Sequence, residues 1–301
     1  MAERLGVLLV GFGGPESLGQ VPAFVESVLG RRPPPPVTAA AMGRYQAIGG
    51  RSPLPAMTRR QAILVAEELS VRGVQAEVQP AMLHAHPTIE EAAEELAAVD
   101  GEVVVVSLAP YRCEVSTDAY EEAAARALTE RGLAFRLVPD WNLEPGYIAA
   151  LAETLAVARQ QAPVETPVVF TAHSLPSRMI EGGDPYVDQL YATAGRVAER
   201  LGLGEWRLAY QSVSAAAREP WLAPSVGETL EMLAVEGASS VLIDPIGFLS
   251  DHVETLYDND IEHRARAEEL GLRFYRCRCL NDHPGLIRTL ADLVMAAAGG
   301  G

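Results

Sequence analysis

"VVVVSLAPYRCEVSTDAYEEAAARALTERGLAFRLVP", residues 103–139, reads as a β-branched apolar run, a loop, an acidic helical segment, a Gly-Leu turn and an aromatic-bearing strand. Residues 239–277, "SSVLIDPIGFLSDHVETLYDNDIEHRARAEELGLRFYRC", repeat that order piece by piece. "VLLVGFGGP" (7–15) and "VVFTAHSLP" (168–176) form a second matching pair. A repeat this long implies two copies of one α/β unit. Short apolar runs mark strands near 5–11, 75–81, 103–108, 133–138, 167–172, 206–211, 240–246 and 272–277, four in each half. Amphipathic segments rich in Ala, Glu and Arg lie between them, as at 89–98 and 119–131. Strand–helix alternation means a parallel sheet with helices on both faces.

The expected fold is therefore α/β: two similar Rossmann-like domains, each a four-stranded parallel sheet flanked by helices, with a cleft between them. The expected domains are 1–140 and 141–283, with 139–147 as the crossing and a C-terminal helix, about 284–298 within 284–301, packing back on the first half. Prolines 33–36 mark a rigid loop. Ligands of such sheets bind beyond the carboxyl ends of the strands. The segments that carry functional weight are thus "FGGP" (12–15), "LHAHP" (83–87), "APYR" (109–112), "HSLP" (173–176), "SVSAAAREPWL" (212–222) and "GFLSDHVETLY" (247–257).

Composition removes several classes of function. The chain of 301 residues has a formal net charge of −16, which argues against nucleic acid as a partner and suits the attraction of cations. All 24 basic residues are arginine, so Schiff-base and other lysine chemistry is excluded. A bound carboxylate must be held by arginine, a hydroxyl or the backbone. No apolar run approaches the roughly 20 residues of a membrane span. The opening "MAERLGVLLVGFGGP" reads as a first buried strand rather than a signal peptide, and a cytoplasmic location is expected. Cys113, Cys277 and Cys279 make no disulfide framework, and three thiols fall short of the four an iron–sulfur cluster usually needs, so no such cluster is expected.

"GFGGPE" (11–16) departs from the dinucleotide fingerprint, and the chain has no phosphate-binding loop and no G-x-S-x-G elbow. His173 directly follows a buried strand, where a neutral imidazole can take a proton, bind a metal or simply end the strand. Glu254, Asp258 and Glu262 recur every four residues, a step of about 40° on an α-helix, and so share one face. That face is either solvated surface or, with His252 or His263, a place for a divalent cation. Asp251 to Glu254 also fits a D-x-x-E capping box. His84 and His86 flank one residue after the second strand, as a metal pair or as the edges of the Pro87 turn. "GRRP" (30–33) and "GRYQAIGGRSPL" (43–54) supply arginines in a long loop, as surface charge or as a carboxylate clamp.

Taken together, "RYQAIGGRSPL" (44–54), "TAHSLP" (171–176), "GDPYVDQL" (183–190), "YQS…PWLAP" (210–224) and "IGFLSDHVETLYDNDIE" (246–262) resemble the ferrochelatase family in order along nearly the whole chain. The chain is most like the compact bacterial form whose members insert Fe(II) into coproporphyrin III. The resemblance implies a chelatase-type fold, porphyrin and Fe(II) as substrates, no cofactor, no integral membrane segment and a monomer. It implies His173 as proton acceptor or metal contact, with Glu254 facing it across the cleft. Asp258 and Glu262 match an outer acidic row on the metal's path. His84 matches a histidine at the pocket edge. Arg31, Arg44, Ser52 and Tyr120 fall where the family holds propionates or lines the pocket, and Trp221 is a further pocket residue. Phe12 stands where many coproporphyrin-type members carry an iron-ligating tyrosine, the 211–222 loop is unusual, and the pocket lysine of some relatives is missing. The alternatives are a protoporphyrin IX enzyme, another tetrapyrrole chelatase, which often uses two facing histidines, and a non-catalytic haem or porphyrin binder.

Overall fold

The computed structural model describes residues 4–213 and 219–299, so residues 214–218 of the 212–222 loop lie outside it. The strands are β1 (Leu5–Gly11), β2 (Ala76–Met82), β3 (Val103–Ser107), β4 (Phe135–Leu137), β5 (Val168–His173), β6 (Trp206–Gln211), β7 (Ser240–Asp244) and β8 (Arg273–Arg276). They form two all-parallel sheets, ordered β2-β1-β3-β4 and β6-β5-β7-β8. Both sheets thus follow one plan: second, first, third, fourth. The described residues divide into two compact units, one reaching Trp141 and resuming at Asn281, the other Asn142–Leu280.

In the first unit β1 and β3 are apolar along their whole length because helices cover both faces of the sheet. Val7 to Val10 and Val103 to Val106 are all buried. Its helices are α1 (Val21–Leu29), α2 (Pro35–Ala47), α3 (Leu54–Val71), α4 (Ile89–Leu96) and α5 (Ala119–Glu130), together with the C-terminal helix Pro284–Gly299. A capping box of Thr88 and Glu91 starts α4, which buries Ile89, Ala92, Ala93 and Leu96, a spacing that makes one helical face. The corresponding stripe of α5, Tyr120, Ala123, Ala124, Ala127 and Leu128, packs into the same core. The proline run resolves differently from the expected loop. Pro35 and Pro36 occupy the first turn of α2, where a missing N–H costs nothing, and the helix carries Arg44 and Tyr45.

The second unit holds α6 (Pro145–Arg159), α7 (Ser177–Glu181), α8 (Tyr186–Leu201), α9 (Val226–Val235) and α10 (Arg264–Glu269). Its core joins Val169, Ala209, Val241 and Ile243 of the sheet to Val226, Leu230, Leu233 and Ala267. After the third strand of each sheet comes a π-helical turn, Glu114–Asp118 in the first unit and Glu254–His263 in the second. No described helix is long and apolar enough to cross a membrane.

Gly247 lets the chain after β7 pass hard against β5. Its N–H donates to the Thr171 carbonyl at 3.0 Å, and a Cβ there would lie 2.6 Å from the Ala172 Cβ and 2.8 Å from its Cα. These atoms belong to the backbone and Cβ of a buried strand, which cannot swing aside. Gly247→Ala is expected to cost about 1–3 kcal/mol in urea unfolding. A variant as stable as its parent would contradict this close approach.

Candidate active site

β5 is the central partner of β6 and β7, so three neighbouring carboxyl ends deliver side chains to one edge of the second sheet. His173 ends β5, and its Nδ1–H donates to the Ser174 carbonyl. That bond occupies Nδ1 and leaves Nε2 as the ring nitrogen turned to the site. His173 Nε2 lies 3.6 Å from Glu254 Oε1. His252 repeats the arrangement: Nδ1–H donates to the Ser250 carbonyl at 3.1 Å, and Nε2 lies 3.6 Å from Glu254 Oε2. Two imidazole Nε2 atoms therefore face the two oxygens of one carboxylate. A proton or a cation placed among them relieves that concentration of negative charge.

β6 supplies the supports. Gln211 Nε2 donates to the Glu254 carbonyl at 2.7 Å. Ser212, at φ 62°, occupies the left-handed region that costs a non-glycine residue energy, and its hydroxyl donates to Asp258 Oδ2. Segment 219–222 returns against the chain after β5, with Ser177 N bonded to the Pro220 carbonyl and Leu222 N to the Leu175 carbonyl. This brings the Trp221 ring to 6.4 Å from the His173 ring. The buried Trp221 Nε1 and Gln211 Oε1 have no hydrogen-bond partner.

The structure corrects three expectations about this region. Glu254 faces His173 not across a cleft but along one sheet edge of the second unit, because β5 and β7 are neighbours in one sheet. The acidic segment is π-helical rather than α-helical. An i→i+5 turn holds more residues than an α turn, so a four-residue spacing falls near a full turn and the acids stay aligned. Along the row, Glu254 is half-buried, Asp258 buried and Glu262 exposed. Asp251 is not the N-cap. Val253 holds that position, Thr255 Oγ donates to Asp251 Oδ1, and the His252 N–H donates to Thr255 Oγ.

The first unit gathers a row of rings. Gly13, at φ 94°, turns the chain after β1, while Leu83 N and His84 N bond the carbonyls of Gly11 and Phe12 at 3.0 Å. Phe12 is thus seated edge-on to His84 at 4.8 Å and to Phe24 at 6.1 Å, and Phe24 meets Tyr45 at 6.2 Å. His84 Nδ1 pairs with the Ser27 hydroxyl at 2.9 Å, and burial lowers the pKa of the ring. His86 goes elsewhere, to Glu91 at 2.9 Å, so the two histidines are not a metal pair. Arg31 is exposed and Arg44 half-buried. Ser52 is buried, with its hydroxyl accepting from Leu54 N at 3.3 Å. Tyr120 lies in the hydrophobic core, 4% exposed.

Gln211, Ser212, Tyr186 and Arg276 were not singled out from the sequence. The first two follow from the strand-end rule already applied to their loop. Tyr186 OH donates to the His173 carbonyl at 3.3 Å. Arg276 is the more buried of the two arginines of β8, and a buried arginine demands acidic partners.

This sheet edge, with its histidines and carboxylate, belongs to the chelatase type of fold. The chain matches the structure of SirB from Bacillus subtilis with Fe3+ at a TM-score of 0.62 and 15% identity, over 99% of this chain and 97% of that one. The family model for ferrochelatase matches residues 4–298. Ferrochelatase of Deinococcus radiodurans is 38% identical over 97% of this chain and 95% of its own. Coproporphyrin III ferrochelatase of Oceanobacillus iheyensis is 33% identical over 98% and 97%. The chain belongs to the ferrochelatase family, the enzymes that insert Fe(II) into a porphyrin in haem biosynthesis.

Behind the site, Asp244 closes β7 at 3% exposure, and burial pushes its carboxyl up to about 7, against the pull of the Cys277 thiol and Arg276. Burial also pushes the Cys277 and Cys279 thiols up, which makes them poor nucleophiles. In the unfolded chain Asp244 loses its proton near pH 4. Between there and pH 7 Asp244 binds more protons in the native state, so its contribution to stability falls as pH rises. Asp244→Asn lacks this proton. Its stability relative to wild type should rise by roughly 1.4 kcal/mol per pH unit across that window. Urea unfolding at pH 5, 6 and 7 reads the slope, and a flat difference would mean an ordinary carboxylate.

Proposed function

We propose that this ferrochelatase acts on coproporphyrin III, with His173 and Glu254 as the pair that handles metal and protons. Metalation exchanges two pyrrole N–H protons for one Fe(II), which must also shed water ligands. The observation that carries the reading is His173 Nε2 at 3.6 Å from Glu254 Oε1, with Nδ1–H already engaged by Ser174. A neutral imidazole nitrogen and a carboxylate oxygen replace water around Fe(II), and the same atoms accept protons as the metal leaves them. Asp258 and Glu262 continue the carboxylates outward from buried to exposed, which supports them as stations for the incoming cation.

On the first unit, Arg31 and Arg44 offer guanidinium groups for the four propionates of coproporphyrin, with no competing lysine in the chain. Phe12, Trp221 and His84 offer ring faces and edges suited to a macrocycle. Relatives that are coproporphyrin III ferrochelatases, such as that of Oceanobacillus iheyensis, support the choice of substrate. The protein works without a resident cofactor, as a monomer in the cytoplasm.

The test is loss of free-base fluorescence with Fe(II), on coproporphyrin III and protoporphyrin IX side by side. Coproporphyrin should be metalated with the higher kcat/KM, and equal values would overturn the substrate assignment. His173→Ala and Glu254→Gln should each lower kcat by about 100-fold or more, the usual scale for a positioned acid–base group. Near wild-type rates would remove the pair from the mechanism.

A further inference from the structure

The π turn of the second unit is a poor structure to leave unsupported. π-Helical turns are rare, and this one carries Glu254, Asp258, Asp260 and Glu262 in close succession, just after Asp251. Beneath it lies Arg276, the last residue of β8, with a side chain only 10% exposed. Its Nη1 donates to Asp251 Oδ1 at 2.9 Å, and its Nε donates to Asp260 Oδ1 at 2.7 Å. Asp251 and Asp260 stand on either side of Glu254 and Asp258 in the chain. The backbone of Arg276 is itself fixed, in register with Ile243 of β7 and followed by the bond from Cys277 N to the Ile243 carbonyl.

We propose that Arg276 is a positioning residue for metalation, one guanidinium fork that pins both ends of the segment carrying Glu254 and Asp258 to the sheet that carries His173. The bonds run on from the fork. Asp251 Oδ1 also accepts from Thr255 Oγ, Thr255 Oγ accepts from the His252 N–H, and the His252 ring lies against Glu254. Arg264 buttresses the outer end, with Nε donating to the Asp260 carbonyl at 3.1 Å and its guanidinium 4.8 Å above the Phe274 ring. Asp251 and Asp260 thus hold the acid row in place without meeting the substrate. The fork is specific to arginine. Lysine supplies the charge but not two directed donors in a plane.

The inference rests on the assignment of the His173–Glu254 pair, and its test separates the two. Arg276→Lys, Arg276→Gln and Asp260→Asn are compared with wild type for Fe(II) KM, porphyrin KM and kcat, and for amide hydrogen exchange across residues 251–262. Each should raise the Fe(II) KM, by about fivefold or more for Arg276→Lys, while the porphyrin KM stays within about twofold. Exchange in 251–262 should quicken while the remaining amides keep their protection. Asp260→Asn breaks the fork from its more exposed end and serves if the Arg276 variants do not fold. Unchanged Fe(II) KM in a folded variant, or equal rises in both KM values, overturns the positioning role. Wild-type activity that is insensitive to His173→Ala would overturn the pair instead, and the exchange data would still decide whether Arg276 is the clamp.

Discussion

The site depends on β5 lying between β6 and β7. In a parallel sheet all strands end on one edge, so neighbours in the sheet become neighbours in the site, whatever their distance along the chain. His173, Gln211 and the chain that follows Asp244 are brought together in this way. Gly247 adds the last approach by letting the post-β7 chain touch Ala172. That contact sets where the acidic turn begins relative to the end of β5.

Holding that turn is an electrostatic problem. Acids gathered in one short segment repel one another. The second unit answers from three sides: Gln211 on the Glu254 carbonyl, Ser212 on Asp258, and Arg276 on Asp251 and Asp260. Two of these supports bear a cost of their own, a left-handed serine and a buried arginine. Local strain and buried charge persist where the surrounding structure over-determines them, and such places are commonly functional.

Most of the fold was legible in the sequence because apolar runs bounded by turns have few other readings, and every observed strand lies within about two residues of its expected limits. The π turn was not, since α and π segments present acids four apart in the same way and differ only in the backbone bond that closes the turn. The placement of Glu254 was misread for a different reason: strand order within a sheet is not written in any local stretch. Tyr120 is a simpler case: its spacing with Ala123, Ala124 and Ala127 marks a buried stripe, and all four are buried on α5.

The two halves of the repeat treat the same acidic turn differently. Each has a π turn after its third strand, and each turn is acidic. In the first, Arg112 comes from the loop just ahead of the turn and pairs with Asp118 at 2.5 Å and Glu121 at 3.3 Å. Burial pushes the Glu121 carboxyl up despite that partner, so these acids are committed to the fold. In the second, the supporting arginine lies on β8 beneath the turn and takes Asp251 and Asp260, while Glu254 is set against two histidines. Moving one guanidinium from the loop to the adjoining strand turns the same motif from a closed ion-pair knot into a turn whose Glu254 is left to the two histidines.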